Sequence, residues 1–145
     1  MINSFNGEYE FLSNFYPSPI QPDGKILYPT VEHYFQGKKA ENIDDFYMVL
    51  SSKTPGDAKR MGKRIKLRSD WEDIKNNVML LGLRAKFAIP ELREKLLATG
   101  NEELIEGNTW GDTYWGVCDG IGQNRLGKLL MQVREEIKNA ELYSR

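Results

Sequence analysis

The chain has 145 residues and a formal net charge of −1, with 20 Lys and Arg against 21 Asp and Glu. This length fits one domain with a real core, so we expect a single globular domain over residues 1–145, and the near-neutral charge gives no overall attraction to nucleic acid or to an anionic membrane. One cysteine, Cys118, and one histidine exclude an internal disulfide and a multi-cysteine or histidine-rich metal centre, so neither a metal nor another cofactor is implied.

The amino-terminal thirty residues alternate aromatic, polar and turn-forming types, which predicts short extended segments. The Asp23-Gly24 pair between Ile20 and Ile26 favours a hairpin at this place. The start of the chain lacks the basic, apolar and small-residue pattern of a secretory signal, and no apolar run is long enough to span a bilayer. We therefore expect the protein to stay in the cytosol.

The first helix is predicted to begin at Val31, because Pro29 restricts the residue before it and Thr30 is a preferred N-cap. His33, within this helix, is a candidate proton donor, and a structural hydrogen bond is the equally acceptable alternative.

Three polar residues share one side of this helix, namely Glu32, Gln36 and Lys39. Positions i, i+4 and i+7 of a helix fall within roughly 60° of one another, with the outer two roughly 10 Å apart along the axis. That distance leaves room for a small polar ligand between a carboxylate and an amine. The alternative is a solvated stripe, which the good helix propensity of these residue types favours.

A second helix is predicted from Pro55, where Thr54 supplies an N-cap and Asp57 an acid in the first turn. It carries a local block of positive charge that is either a solvated face or a phosphate clamp. The block consists of Lys59, Arg60, Lys63, Arg64 and Lys66.

The central and last parts of the chain also have helical apolar spacing. We predict a central helix from Trp71 to Ala88 that is apolar on two faces, and a short helix from Pro90 that ends at Thr99–Asn101. A strand is predicted at Leu104 and Ile105, and another enters a loop within residues 110–116. The last helix is amphipathic. Its apolar stripe is Leu126, Leu129, Leu130, Val133 and Ile137.

The loop that precedes the last helix is a candidate anion site, because the segment from Gly120 to Asn124, including Gly122, can present backbone N–H groups beside a helix dipole; a plain loop is the alternative. Trp110, Tyr114 and Trp115 can stack on a base, although composition favours a core position for them. Asp112, between the tryptophans, is either a desolvated proton-transfer group or a turn cap.

Several motifs in the same order are more specific than any one of them: F-L-S-N-F, Y-P-T-V-E-H-Y-F-Q-x-x-K, R-M-G, L-R-A-K-F, Y-W-G and N-R-L-G-K-L-L-M. The chain resembles the NADAR superfamily, and most closely its YbiA-like N-glycosidases, from about Phe11 to Glu135. The resemblance implies a single-domain α+β fold that is mostly helical with a small sheet or hairpin. It also implies hydrolysis of N-glycosidic bonds in phosphorylated ribosides of riboflavin synthesis, or removal of ADP-ribose from guanine in modified nucleic acid.

The resemblance also implies which residues act. Glu32, Lys39 and Asp112 are the catalytic candidates. The substrate-binding candidates are Ser13, Asn14, Phe15, Gln36, Arg60, Trp115, Gly116, Gly122 and Asn124. We expect Lys39 to attack the anomeric carbon and form an imine while Glu32 shuttles protons. Two alternatives stay open: a carboxylate activates water directly and Lys39 only pairs with phosphate or the sugar hydroxyls, or the chain is a catalytically silent binder of nucleotides or ADP-ribose.

Overall fold

The computed structural model describes residues 1–144, which contain six α-helices, one short 3-10 helix and a two-stranded sheet. The predicted fold class, mostly helical with a small sheet, is confirmed. The 3-10 helix is Gly7–Leu12, and the α-helices are α1 (Val31–Gly37), α2 (Ile43–Leu50), α3 (Pro55–Gly62), α4 (Trp71–Phe87), α5 (Pro90–Ala98) and α6 (Arg125–Tyr143).

The chain forms two compact units, Asn14–Lys86 and Met1–Ser13 with the residues from Phe87 onward. The prediction of a single domain over residues 1–145 stays a prediction. In the unit Asn14–Lys86, α1 packs against both α2 and α3. The ring of Phe35 on α1 lies 5.0 Å from the ring of Trp71 on α4, centroid to centroid. The core of this unit therefore surrounds α1.

Local sequence signals explain where the helices of this unit begin. Thr30, Asn42 and Thr54 are extended residues whose side chains accept the backbone N–H three positions later, at the starts of α1, α2 and α3. Each cap satisfies one of the N–H groups that the first turn of a helix leaves unpaired. The predicted starts at Val31 and Pro55 are confirmed.

In the other unit, α5 packs against α6 and against the 3-10 helix. Arg134 of α6 is buried and donates to Thr99 Oγ1 over 2.9 Å, and Lys138 donates to the Gly100 carbonyl over 2.9 Å. These bonds place positive charge at the carboxyl end of α5, where the helix dipole favours it. The predicted helix from Pro90 is confirmed, and Gly100 just after it has a φ of +64°.

Sequence patterns were less successful for the strands. The sheet pairs β1 (Gly107–Asn108) with β2 (Val117–Cys118) in parallel, whereas Leu104 makes only an isolated bridge to Ile2. Residues 110–116 form bends and irregular loop, so the strand predicted there was wrong. Asn108 explains this loop, since its side chain donates to the Asp112 carbonyl over 2.9 Å and accepts from the Asp112 N–H over 3.0 Å.

Two early predictions also need correction in detail. Residues Gly7–Leu12 form a 3-10 helix rather than an extended segment. The Asp23-Gly24 turn is present, with Gly24 at a φ of +74°, but the pairing it closes is a single antiparallel bridge between Ile20 and Tyr28. No helix among residues 1–144 has the length and apolar character needed to cross a membrane.

Candidate functional site

Helix α1 is buried around its whole circumference. Every residue from Val31 to Gly37 is buried, and the polar residues Glu32 and Gln36 are only 7% and 4% exposed. The solvated-stripe interpretation is therefore wrong. The cause lies outside α1, because α2 and α3 both pack against this helix and Gly62 of α3 lies beside Gln36.

Glu32 is fixed by contacts on both its backbone and its side chain. Its backbone N–H donates to the Asn14 carbonyl over 3.1 Å, and its Oε1 accepts a hydrogen bond of 2.8 Å from Gln36 Nε2. A buried carboxylate needs such donors because burial alone disfavours its charged form. The arrangement holds a carboxyl group in place inside the core of this unit.

Lys39 lies beyond the helix on which the sequence placed it. Helix α1 ends at Gly37, and the Lys39 N–H donates to the Gln36 carbonyl over 3.2 Å in the turn that follows. The Arg68 N–H donates to the Lys39 carbonyl over 2.9 Å, which fixes the backbone at this point. Lys39 Nζ lies 5.5 Å from the centre of the Phe35 ring.

The environment of Lys39 lowers the pKa of its ammonium group. Burial lowers the pKa of the Lys39 ammonium from its ordinary value of 10.5, the negative charge of Glu32 opposes this, and three nearby cations lower the pKa further. Those cations are Lys59, Lys63 and Lys75. Glu32 and Lys39 are therefore close enough for their charges to interact.

Only Lys59 and Arg60 of the basic block lie on α3, which ends at Gly62, and the block divides between two environments. Lys59 and Lys63 stand one helical turn apart and act electrostatically on Lys39. Arg60, predicted to bind substrate, is exposed and pairs with Asp57, and Lys66 pairs with Glu41 over 3.0 Å.

Lys86 of α4 is a further candidate, which was not predicted from the sequence. Its side chain has no exposed surface, and burial lowers its pKa to about 7. Its Nζ lies 5.7 Å from the centre of the Tyr16 ring. The signal was available, since Lys86 falls seven residues after Met79 and three after Leu83, on an apolar face of the helix.

The S-N-F segment places a buried amide next to α1. Asn14 is 8% exposed, its Nδ2 donates to Met79 Sδ over 3.4 Å, and its Oδ1 has no hydrogen-bond partner among the described residues. Phe15 is 41% exposed, and the Ser13 N–H donates to the Glu10 carbonyl at the end of the 3-10 helix. Their roles in substrate binding stay predictions.

His33 has a structural role. Its Nδ1 lies 2.8 Å from Thr30 Oγ1 and its Nε2 lies 2.9 Å from the Ser52 carbonyl. Because a carbonyl only accepts, Nε2 carries the proton and Nδ1 accepts from the Thr30 hydroxyl. The ring thus links the start of α1 to the segment after α2, as the structural alternative predicted.

Replacing the two threonine caps by alanine is expected to have unequal effects. Thr54→Ala removes one cap and is expected to lower the free energy of unfolding by about 1 kcal/mol. Thr30→Ala also leaves the buried His33 Nδ1 without its donor and should cost about 1–3 kcal/mol more. Urea unfolding measures both, with Ser69→Ala as an exposed control. Equal losses at the two caps would contradict this assignment.

Asp112, in the other unit, caps a turn. Its Oδ1 accepts from the Tyr114 N–H over 3.1 Å and from the Trp115 N–H over 2.9 Å. These bonds fit the turn-cap alternative. A catalytic role for Asp112 stays a prediction.

The glycine loop before α6 is closed by its own backbone. The N–H groups of Gln123, Asn124 and Arg125 donate to the carbonyls of residues 113, 116 and 114, respectively. The Asn124 side chain donates from Nδ2 to the Leu104 carbonyl over 2.9 Å, and its Oδ1 accepts from the N–H of residue 106 over 2.9 Å. These groups are committed to folding the loop, which argues against the anion site.

Two glycines of this region are required by close backbone approach. A Cβ on Gly116 would overlap the Glu106 carbonyl, and one on Gly122 would overlap the Gly116 carbonyl. Gly116 and Gly122 thus have a packing reason to be glycine. Trp110 is 60% exposed, so the core position favoured for it was wrong, whereas Trp115 is half-buried with its ring 4.9 Å from that of Tyr114.

The predicted site residues thus fall into two groups. Asn14, Glu32, Gln36 and Lys39 come together around α1. Asp112, Trp115, Gly116, Gly122 and Asn124 lie in the turns between β1 and α6. No cluster of metal-binding side chains occurs among residues 1–144. The first group contains a held carboxyl and an amine with a lowered pKa, which suit proton transfer and nucleophilic attack.

The chain is similar to known proteins over nearly all of its length. Residues 3–138 match the NADAR domain family. The chain is 46% identical to N-glycosidase YbiA of Escherichia coli K12, over 92% of this chain and 85% of that protein. It is 38% identical to a riboflavin biosynthesis protein of Vibrio vulnificus, over 92% of this chain and 37% of that protein. The NMR structure of E. coli YbiA superposes with a TM-score of 0.84 at 40% identity, over 98% of this chain and 89% of that one.

Proposed function

The chain belongs to the NADAR domain family, and on this basis we propose that it is an N-glycosidase that hydrolyses the C–N bond of phosphorylated ribosides. The names of its relatives support the reaction. The observation that carries the proposal is the buried Glu32 carboxyl beside Lys39, whose pKa is lowered. The resemblance of the motifs to NADAR proteins is confirmed.

The substrate that we propose is a ribosylamino-pyrimidine phosphate of riboflavin synthesis. One relative is named a riboflavin biosynthesis protein, which supports this class. The cations near Lys39 also support it, because the charge of Lys59 and Lys63 suits a phosphate group, whereas Lys75 is paired with Glu72. The alternative, an ADP-ribosyl-guanine substrate, carries a diphosphate whose negative charge suits the same cations.

The roles follow from the charge that develops during cleavage. Positive charge builds on the anomeric carbon while the departing base gains negative charge, so a proton donor and a cation trap are both needed. Lys39, as the neutral amine, attacks the anomeric carbon and the bond to the base breaks. Glu32 gives a proton to the leaving nitrogen. Glu32 takes back a proton from the attached Lys39 nitrogen, and the bond between the anomeric carbon and the ring oxygen breaks as the second proton of that nitrogen moves to the oxygen, which gives the imine of the opened sugar. Water then hydrolyses the imine, releases the sugar and restores the Lys39 amine.

Lys39 is a better nucleophile candidate than Lys86, although both have lowered pKa values. An amine with a pKa of about 7 is half neutral at neutral pH, which favours Lys86 as a base or nucleophile. Lys86 has no exposed surface, however, whereas Lys39 is partly exposed. A group that attacks a substrate must be reachable, and we therefore assign the imine to Lys39.

Base release from two substrates tests the proposed function. Purified protein is mixed with a ribosylamino-pyrimidine 5′-phosphate or with an ADP-ribosylated guanine oligonucleotide, and the free base is measured by chromatography and mass spectrometry. We expect release from the first. Release from the second alone would move the substrate class to ADP-ribosyl guanine, and tight binding without release from either would make the chain a silent binder.

Borohydride trapping is expected to leave the reduced sugar on Lys39. Borohydride added during turnover converts an imine to a stable amine, and peptide mapping locates it. The adduct should persist in Lys86→Met and disappear in Lys39→Ala. An adduct on Lys86 would reassign the nucleophile, and turnover without any adduct would favour direct attack by water. Lys53→Ala, at an exposed lysine, is the control for non-specific labelling.

A cytoplasmic location also stays a prediction. Substrates of the proposed class are metabolic intermediates, which accords with it. Fractionation of cells expressing the tagged chain measures it directly.

A further inference from the structure

We propose that Gln36 is a positioning residue that keeps the Glu32 carboxyl hydrogen-bonded in both of its protonation states, and that Gly62 provides the room that the Gln36 amide needs. The proposal deepens the proposed function, since it explains how a buried carboxyl can both give and take a proton. Gln36, predicted from sequence to bind substrate, thereby acts through Glu32.

The geometry joins three residues on two helices. Gln36 Nε2 donates to Glu32 Oε1 over 2.8 Å within α1. On the other side of the same amide, a Cβ added to Gly62 of α3 would overlap Gln36 Oε1 and approach Cδ to 2.9 Å. Glu32, Gln36 and Gly62 are all buried. The Gln36 amide therefore lies between the Glu32 carboxyl, to which it donates, and the backbone of α3 at Gly62.

Because Gln36 Oε1 is buried and has no hydrogen-bond partner among the described residues, the Gln36 amide can bond to Glu32 in either of its two orientations. Turning the amide over exchanges Nε2 and Oε1, which are nearly equal in size, about a terminal torsion that is broad and two-fold. This rotation breaks no hydrogen bond on the side of the amide that faces Gly62, because Oε1 makes none there with any residue that the structure describes. Gln36 can thus donate to the ionised carboxylate, or accept from the protonated carboxyl, in the same space.

Gly62 is the residue that makes this space. Gly62 is the last residue of α3 and does not have a positive φ, so the backbone conformation does not require glycine there. The overlap with Gln36 supplies the reason for glycine, because a methyl group would force the amide away from its position. The nearby Gly56 of α3 differs, since the atoms closest to an added Cβ there are 3.8 Å away.

Charged groups lie on each of the helices that pack on α1. Glu32 interacts electrostatically with Lys39, which follows α1. On α2, Asp45 is occupied by Asn42 and by the Lys66 N–H. The other charged groups of the helices that pack on α1 are Asp44 on α2, Asp57, Lys59 and Arg60 on α3, Lys63 just after it, and Glu72, Asp73, Lys75, Arg84 and Lys86 on α4.

Titration of the Glu32 carboxyl tests the proposal without any substrate. The ¹³C carboxyl signal of labelled protein is followed against pH and assigned with Glu32→Gln. Gln36→Leu removes both the donor to the carboxylate and the acceptor for the protonated carboxyl. Because a hydrogen bond to the charged form is the stronger of the two, the pKa of Glu32 should rise by about one unit relative to the natural protein. Gly62→Ala should shift it in the same direction, and Gly56→Ala should leave it in place.

Unchanged titration of Glu32 in both Gln36→Leu and Gly62→Ala would overturn the proposal. Circular dichroism checks the fold, and Gly62→Ala keeps every polar group in case Gln36→Leu does not fold. If the natural protein releases base, the acidic limb of its kcat/KM profile should move to higher pH in both variants, with about a tenfold loss of kcat. A shifted titration in a protein that releases no base would sustain this proposal while removing the proposed function.

Discussion

Glu32→Gln is expected to abolish base release while the fold is retained. The amide has the shape of the carboxyl group but cannot transfer a proton, and positioned proton transfer contributes about 10²–10⁴ in rate. The substituted side chain still offers an acceptor to Gln36 Nε2, which lies 2.8 Å from Glu32 Oε1 in the natural protein. We therefore expect kcat to fall at least 100-fold, measured by base release, with an unchanged circular dichroism spectrum.

Two matched variants make this result specific. Glu41→Gln changes a carboxyl that pairs with Lys66 near the surface and should keep full activity. Asp112→Asn keeps an acceptor for the N–H groups of Tyr114 and Trp115, so it tests the catalytic role of Asp112 with its turn cap preserved. Full activity of Glu32→Gln together with loss in Asp112→Asn would transfer the proton-transfer role to Asp112.

Helix starts could be predicted because their signals are local. Thr30 and Thr54 accept hydrogen bonds from backbone N–H groups three residues away. Pro55 and Pro90 occupy first helical positions, where the N–H that proline lacks would have no partner within the helix. These contacts involve only a few neighbouring residues. The sequence therefore contained all the information needed to place the starts of α1, α3 and α5.

The burial of the site could not be predicted in the same way. Glu32 and Gln36 have the propensities of surface residues, and they are removed from water by segments that pack on α1, among them α3 at Gly62 and the segment at Asn14. The end of α1 at Gly37 was missed for a related reason, since the backbone of Lys39 is held by Arg68, which lies far along the chain. The motif nevertheless identified Glu32 and Lys39 as neighbours, which their electrostatic interaction supports.

The strand predicted within residues 110–116 failed through side-chain competition. Asn108 and Asp112 both bond to nearby backbone groups and fold this segment into turns. Short polar side chains offer the backbone partners that replace those of a neighbouring strand. Bulky rings separated by residues that let the backbone bend suggested a strand entering a loop, but they did not decide the backbone.

Lys86→Met is expected to remove a strong pH dependence of stability. The folded chain has a Lys86 pKa of about 7 against an ordinary value of 10.5. Below about pH 7 both states carry the proton and the folded state bears the full cost of a buried charge. Between these two values the unfolded chain binds more protons, so the free energy of unfolding rises with pH by about 1.4 kcal/mol per unit.

The advantage of Lys86→Met over the natural protein should consequently shrink by about 4 kcal/mol between pH 7 and pH 10. Urea unfolding at several pH values, under reducing conditions because of Cys118, gives both curves. Comparing the two proteins cancels the contribution of Lys39, whose lowered pKa acts in the same direction. Lys53→Met changes an exposed lysine, so its free energy of unfolding should vary with pH in parallel with that of the natural protein. A Lys86→Met curve that is also parallel would mean that Lys86 stays protonated in the fold across this range, and it would remove Lys86 from the candidate nucleophiles.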